Sequence, residues 1–403
     1  MPPHAKEDPQ RVPKAHLIAS SLALGGMDAM ALSASDWTLG RKRIQDLVTK
    51  HKLPVLAANL ICDDEHPYPD SVVLERGGKR IGIVGITDGP VAGCTVEDPV
   101  TVANEAMDKL GAVDFRLVLA PIHRTKLAEL NADAVVDGNN AAMYHQPLQV
   151  GSAWVLSNGS RGKHLGTAEL TWQSDATTWV AFGATDPLEK EVDRLSKVPS
   201  KETKARQEHR LQMLADKQAQ LDVIANPPAD QHWIRHTLTE LDDTIADEPA
   251  VARIVSEGLA AFEGADVAAA ASTEPRVGPT GSDWAGAKAC ESCHRNQTYH
   301  WAQTPHARAW QSLVDDGHAG DNSCFSCHST GANKEGGPAT AAAVSGLRDV
   351  QCEACHGAAA KHIADPQTKP TKDPSIEVCT GCHDGDRDGG RFDFDSYRKL
   401  VEH

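Results

Sequence analysis

Apolar and polar residues alternate along residues 1–185 in short blocks that favour both helices and strands. Segments with apolar residues on one face predict helices at 14–24, 40–50 and 101–110. Short apolar or alternating runs predict strands at 29–32, 53–59, 71–75, 80–86, 115–120, 134–137, 153–157, 164–172 and 177–182. Arg76-Gly-Gly-Lys79 indicates a hairpin between two of these strands. This mixture of helices and strands predicts a layered α/β domain over residues 1–185.

The pattern becomes more polar and helical in residues 186–283, which we predict to be a helical connector and linker. Helices are predicted at 187–198, 201–226 and 248–262. Alternation at 232–241 predicts a strand, on which His232 and His236 would share one side at a distance, so packing roles are favoured over a metal pair. Residues 264–282 are rich in Ala, Gly, Thr and Pro and predict a linker.

Four copies of one five-residue pattern occur in the last third of the chain. They are Cys290-Glu-Ser-Cys293-His294, Cys324-Phe-Ser-Cys327-His328, Cys352-Glu-Ala-Cys355-His356 and Cys379-Thr-Gly-Cys382-His383. In Cys-x-x-Cys-His, two thiols bond the vinyl groups of a c-type haem and the adjacent imidazole binds its iron. Zinc sites and disulfide frameworks also use paired cysteines, but neither requires a histidine after every second cysteine. We therefore predict four covalently bound c-type haems.

Further histidines provide candidates for the second axial position of each iron. Beyond the four motif histidines, residues 284–403 contain His300, His306, His318, His362 and His403. A haem that transfers electrons usually keeps both axial positions filled, whereas an open position permits substrate binding. We expect several of these five residues to be iron ligands, but the spacing does not pair them with particular haems.

The size of the motif region predicts a mostly α-helical domain built around its haems. Residues 284–403 supply about 30 residues per motif, below the ~40 residues at which a chain usually needs help beyond its own core. We therefore expect the haems to form the core of a third domain at 284–403.

Composition narrows the classes of partner. The net charge of −16 argues against nucleic acid or an anionic membrane as the main partner, and no apolar run is long enough to cross a bilayer. We expect donor and acceptor redox proteins as partners, while the oligomeric state stays open. Cys62 and Cys94 lie outside the motifs and are either a disulfide or buried free thiols.

Covalent haem attachment also predicts the cellular compartment of the protein. Because covalent attachment takes place outside the cytoplasm, we expect a periplasmic or cell-envelope protein. The polar start of the sequence shows no secretory signal, so we expect the signal to have been removed or to lie upstream.

Four segments in and around the cysteine motifs resemble those of a known family. They are Trp301-Ala-Gln-Thr-Pro-His306-Ala, Cys324-Phe-Ser-Cys-His-Ser-Thr-Gly331, Gln351-Cys-Glu-Ala-Cys-His-Gly357 with His362 after it, and Phe392-Asp-Phe-Asp-Ser-Tyr397 before His403. With these features, residues 284–403 resemble the multihaem cytochrome c-554 family. The resemblance implies His306, His362 and His403 as distal iron ligands, with His318 next and His300 last, and it allows one haem to stay five-coordinate.

A second resemblance covers most of residues 1–185. It is carried by Gly26-Met-Asp-Ala-Met-Ala-Leu32, Leu53-Pro-Val-Leu-Ala-Ala-Asn59, Gly78-Lys-Arg-Ile-Gly-Ile-Val-Gly-Ile86 and Gly162-Lys-His-Leu-Gly166. In this order they resemble the calcineurin-type metallophosphatase domain of 5′-nucleotidases, and imply its α/β layered fold.

The metal ligands of that family are mostly replaced. Its Gly-Asn-His-Glu reads Ser33-Ala34-Ser35-Asp36, its later His falls at Pro121 with His123 out of register, and its Gly-His-x-His reads Gly138-Asn139-Asn140-Ala141. The earlier motifs, Asp-x-His and Gly-Asp, should precede residue 10 and are absent. Since a two-metal site needs several such ligands, we expect a domain without catalysis, truncated at its N-terminus.

These observations favour an electron-transfer protein in which four haems form a wire and the N-terminal domain is a scaffold or docking module. One alternative is a redox enzyme that acts on a small nitrogen or sulfur species at a five-coordinate haem. A second alternative is a haem-linked phosphoesterase.

Overall fold

The computed structural model describes residues 9–139, 142–199, 201–262, 278–385, 387–388 and 391–403. The chain divides into two compact units. The α/β unit is Leu22–Ala246, and the helical unit combines Met1–Ser21 with Asp247–His403. These bounds differ from the three predicted domains, because residues 186–246 of the predicted connector pack into the α/β unit.

The strands of the described residues all belong to the α/β unit. They are β1 Leu60–Cys62, β2 Ser71–Arg76, β3 Lys79–Gly85, β4 Cys94–Val96, β5 Phe115–Ala120, β6 Ala134–Asp137, β7 Leu148–Val150, β8 Ala153–Leu156, β9 His164–Thr171, β10 Trp179–Phe182 and β11 His232–Glu240.

A six-stranded sheet with the order β2-β3-β5-β6-β8-β7 forms the centre of this unit. Strands β3, β5, β6 and β8 run parallel, with Ile83 opposite Leu117 and Leu119 opposite Val136, and the two edge strands are antiparallel. Parallel strands are covered on both faces. This explains the continuous apolar runs from which the strands were predicted.

Apart from short 3₁₀ turns, the described residues up to residue 246 form six α-helices. They are α1 Arg11–Leu24, α2 Ala34–Trp37, α3 Arg41–His51, α4 Pro99–Lys109, α5 Thr185–Ser196 and α6 Lys204–Ala225. The Asp98 carboxylate caps α4 by accepting the Thr101 N–H at 3.0 Å. The buried face of α4, which includes Ala103 and Met107, packs into the main core of the sheet. The predicted α/β layered fold is confirmed.

A smaller sheet in the order β10-β11-β9 completes the α/β unit. Strand β11 pairs parallel with β10 and antiparallel with β9, as its alternating pattern allows. The hairpin of α5 and α6 packs through Leu188 and Ile224 against Phe182 and Trp233. The predicted connector therefore supplies a sheet strand as well as helices.

Two predicted strands, at 29–32 and 53–59, are wrong. Only Met30 and Val55 form an isolated parallel bridge there. The amides of Leu56, Ala57 and Ala58 donate to three different segments. The segment is buried like a strand, but it does not pair along a single neighbour.

The open alternative for Cys62 and Cys94 is decided by the structure. The two residues form a disulfide that joins β1 to β4, where they lie directly opposite each other. Neither of these short strands was predicted from the sequence.

Short helices make up the described part of the helical unit after residue 246. They are α7 Pro249–Phe262, α8 Ala287–Cys290, α9 Arg295–Trp301, α10 Ala309–Asp315, α11 Phe325–His328, α12 Cys352–His356, α13 Ala360–Ala364, α14 Ile376–Thr380 and α15 Phe394–Val401. One apolar cluster gathers Trp310, Leu313, Phe325 and Val344. The predicted linker at 264–282 lies outside the described residues up to 277.

Candidate haem-binding site

Each Cys-x-x-Cys-His motif lies on a single helical turn. The His294 N–H donates to Cys290 O at 2.9 Å, and the His383 N–H donates to Cys379 O at the same distance. The second motif coincides with α11 and the third with α12. Because residues three apart share a face of such a turn, both thiols of a motif lie on one side with the histidine beside them.

Cysteines of different motifs lie next to each other. The thiols of Cys290 and Cys352, from the first and third motifs, share a hydrogen bond that raises the pKa of Cys290 and lowers that of Cys352. A similar bond joins Cys327 and Cys382, from the second and fourth motifs; it lowers the pKa of Cys327 to about 6 and raises that of Cys382. The fold therefore brings the motifs together out of chain order.

Burial also affects three of the remaining motif thiols. Burial raises the pKa of Cys355, and the nearby charge of Cys379 raises it further. Burial likewise raises the pKa of Cys324 and of Cys379. Cys293 is exposed.

Imidazoles from distant parts of the helical unit face each other in pairs. The ring centres of His294 and His362 are 6.3 Å apart, and those of His306 and His383 are 6.2 Å apart. His403 lies 6.0 Å from His356. In each pair one member is a motif histidine and the other is one of the three residues favoured as distal ligands.

These separations suit two ligands on opposite sides of one iron. A ligating nitrogen lies about 2 Å from the metal and about 1 Å from the centre of its own ring, so the ring centres of two axial ligands are about 6 Å apart. The imidazole pairs therefore fit bis-histidine haems.

Hydrogen bonds to backbone carbonyls orient three of the paired rings and the ring of His328. The Nδ1 atoms of His356 and His362 donate to the carbonyls of Thr371 at 2.6 Å and Thr368 at 2.9 Å. In the same way His328 donates to Ala309 O at 2.6 Å, and His403 donates to Val401 O at 2.8 Å. A carbonyl only accepts, so these bonds fix the proton on Nδ1 and leave the Nε2 lone pair for a metal.

Aromatic side chains contact the histidine pair of the fourth motif. The ring of His383 stacks on Phe392 at 5.1 Å and contacts Tyr397 at 5.4 Å. Burial lowers the pKa of His306, and the proximity of His383 lowers it further. His306 therefore favours the neutral form that binds metals.

His328 differs from the other motif histidines, because no opposing imidazole is found for it among the described residues. A ring nitrogen of His318 lies within 4.8 Å of an Asp321 carboxylate oxygen and of Cys324 Sγ, the first thiol of the second motif. His300 lies 6.1 Å from His403, which places it beside the pair that His403 forms with His356.

Sequence reasoning assigned no role to two buried residues beside the third motif. Glu353 is 1% exposed, and its carboxylate accepts the N–H groups of Ala285, Gly286 and Ala359 at 2.8–3.1 Å. Gln351, also 1% exposed, accepts the Ala287 N–H. The only sequence signal was the presence of long polar side chains flanking Cys352, which do not by themselves indicate burial.

The positions that replace the metallophosphatase ligands serve local structure in the α/β unit. The Asp36 carboxylate accepts the Ser33 N–H at 2.8 Å and so caps α2. The Nδ1 atom of His123 caps the following turn by accepting the Thr125 N–H, and Asn139 N–H donates to Asp137. Asn140 and Ala141 lie outside the described residues. Within the described ranges, His318, Asp321 and Cys324 are the one group of three or more potential metal-ligating side chains, and they lie in the helical unit.

Comparison with known families adds to the geometry of the motifs. Residues 289–357 match the family model for cytochrome c554 and c-prime. The matched segment contains the first three motifs, and the fourth follows it. A family of c-type cytochromes implies covalently bound haem with iron.

A curated relative agrees with this match. Cytochrome c-554 of Nitrosomonas europaea is 32% identical over 87 residues, which cover 18% of this chain and 37% of that protein. The chain therefore spans well under two thirds of this cytochrome relative.

Solved structures similar to the chain come from other families. Sulfate thiohydrolase SoxB of Thermus thermophilus is 17% identical with a TM-score of 0.43, over 64% of this chain and 41% of that one. A 5′-nucleotidase precursor of the same species is 22% identical with a TM-score of 0.34, over 39% and 38%. The calcineurin-like phosphoesterase YfkN of Bacillus subtilis is 17% identical with a TM-score of 0.35, over 42% and 66%.

None of the helices in the described ranges is both long and apolar enough to span a bilayer.

Proposed function

We propose that the helical unit binds four c-type haems and carries electrons between a donor and an acceptor protein. The observation that carries this proposal is the meeting of motif histidines with distant histidines at 6.0–6.3 Å. His294 and His362 would hold the haem of the first motif, His356 and His403 that of the third, and His383 and His306 that of the fourth. Two strong imidazole ligands keep the iron in one geometry when its charge changes, which suits electron transfer.

The thiol contacts support an order for the electron path. Cys290 contacts Cys352, Cys355 lies near Cys379, and Cys382 contacts Cys327. Haems bound at these motifs would supply one-electron transfer, and the neighbouring cysteines would order the path through the first, third, fourth and second motifs.

A periplasmic or cell-envelope location is part of the proposal. The Cys62–Cys94 disulfide and covalent haem attachment both belong to oxidising compartments. The net charge of −16 suits redox partners with basic contact surfaces. The α/β unit acts as a scaffold or docking module without phosphatase chemistry, since most of the family's ligand positions are replaced and Asp36 caps α2 instead.

An absorption spectrum and the intact mass of the purified protein test this proposal together. We expect a mass that accounts for four haems and a spectrum dominated by low-spin iron. A protein carrying three haems or fewer after complete maturation would contradict the assignment of the four motifs.

His328 favours a second candidate function. Because no opposing imidazole is found for it among the described residues, the haem of the second motif has an open position in this arrangement. An open iron would let the protein bind and transform a small nitrogen or sulfur species. Addition of carbon monoxide to the reduced protein distinguishes the two functions, since a bis-histidine wire leaves the spectrum unchanged and an open haem gives a one-site change.

A further inference from the structure

A buried acidic residue, Glu353, lies within the third motif. This residue lies between the two cysteines of the third motif and is 1% exposed. Its carboxylate accepts backbone N–H groups on both sides, from Ala285 and Gly286 and from Ala359. Backbone N–H bonds of this kind stabilise a negative charge on a carboxylate.

Glu353 faces two motifs at once. The Ala285 and Gly286 amides that bind it directly precede α8, which ends at Cys290 of the first motif. The negative charge of Glu353 acts on the thiols of both Cys290 and Cys352. It therefore lies at the contact between the first and third motifs.

Two other charges near motif cysteines are paired with opposite charges. Asp321, near Cys324, forms an ion pair with Lys14, and Arg387, near Cys327 and Cys382, forms one with Asp384. Lys334 acts on Cys355 of the third motif, but its effect ranks below burial and the neighbouring thiols. Within the described ranges no cation forms a salt bridge with Glu353, whose charge is balanced only by backbone dipoles.

We infer that the negative charge of Glu353 lowers the reduction potentials of the haems on the first and third motifs relative to those on the second and fourth. This inference rests on the proposed haem binding. A buried negative charge disfavours the extra electron of ferrous iron, and the low dielectric around a buried group leaves the effect poorly screened. An electron that enters at the first or third motif is therefore driven towards the fourth and second.

The test compares two glutamates at the same motif position. Glu353→Gln removes the buried charge, whereas Glu291→Gln removes the corresponding charge of the first motif, which is exposed and paired with Lys288 at 2.6 Å. Glu353→Asp keeps the charge at the buried site. Redox titrations followed by visible and electron paramagnetic resonance spectra resolve the four haems, and mass spectrometry counts them.

We expect Glu353→Gln to favour the reduced state of two haems about tenfold, a rise of about 59 mV for a one-electron couple. Glu291→Gln and Glu353→Asp should leave the potentials near those of the natural protein. Equal shifts in the two Gln variants, a shift in all four haems, or no shift in fully loaded Glu353→Gln protein would overturn the inference. A natural protein without four haems would instead overturn the proposed function.

A second measurement serves if Glu353→Gln fails to load its haems. His362→Met and His403→Met each mark one haem, because a methionine ligand raises its potential. In the natural protein, the two marked haems must have the two lowest of the four potentials. Any other order overturns the inference.

Discussion

The disulfide of the α/β unit allows a stability prediction with a calculable magnitude. Cys62 and Cys94 are separated by 32 residues, and closing a loop of that length removes enough unfolded-state entropy to contribute about 3.7 kcal/mol. We therefore expect the double variant Cys62→Ala/Cys94→Ala to lower the free energy of unfolding of this unit by about 3–4 kcal/mol. The melting temperature should fall by about 10 °C for a unit of this size.

Urea titration followed by tryptophan fluorescence measures this change, since the unit contains Trp37, Trp154, Trp172, Trp179 and Trp233. The matched controls are the single variants Cys62→Ala and Cys94→Ala, each of which also breaks the bond. Each single variant should cost nearly as much as the double, so that the effects are far from additive. Additive single effects, or a loss below about 1 kcal/mol in the double variant, would refute the reasoning, as would finding both thiols free in the natural protein.

Three further predictions concern the helical unit and the replaced phosphatase site. His306→Ala should open the haem of the fourth motif and give new high-spin iron that binds carbon monoxide, whereas His318→Ala should not; an unchanged spectrum in His306→Ala would remove that ligand pair. Lys14→Met should destabilise the helical unit by about 2 kcal/mol at pH 7, because it leaves the buried Asp321 carboxylate without its cation. Burial raises the pKa of Asp321, but bonds from Lys14 and Ser323 outweigh it and lower the pKa overall. The ion pair therefore stabilises the protein above the ordinary aspartate pKa, and this stabilisation is lost as pH falls through the lowered value. Urea titrations should give the same free energy of unfolding for both proteins in acid. A difference that persists there would contradict the ion-pair explanation. Nucleotides incubated with the protein and Mn²⁺ or Zn²⁺ should not be hydrolysed, and hydrolysis abolished by a chelator would show that the α/β unit retains a metal site.

Local patterns in the sequence were sufficient for most of the secondary structure. Turn residues marked the hairpin at Arg76-Gly-Gly-Lys79, and apolar runs marked the parallel strands β5 and β6. Both signals depend only on residues a few positions apart. The segment at 53–59 failed because its apolar character reflects burial, while strand formation depends on which neighbour its amides meet. The disulfide between Cys62 and Cys94 could not be chosen over free thiols, since the two residues meet only through the pairing of β1 with β4.

The sequence alone was sufficient to predict haem chemistry for this protein, because the two thiols and the imidazole of each motif are neighbours on one turn of chain. It also supplied the candidate distal histidines, but spacing could not pair His362 with His294 or His306 with His383. The tertiary structure decided those pairs, since their members come from segments far apart in the chain and meet only after folding. It also decided the burial of Glu353, whose twin Glu291 occupies the same motif position and remains exposed, because burial depends on which segment packs over a residue.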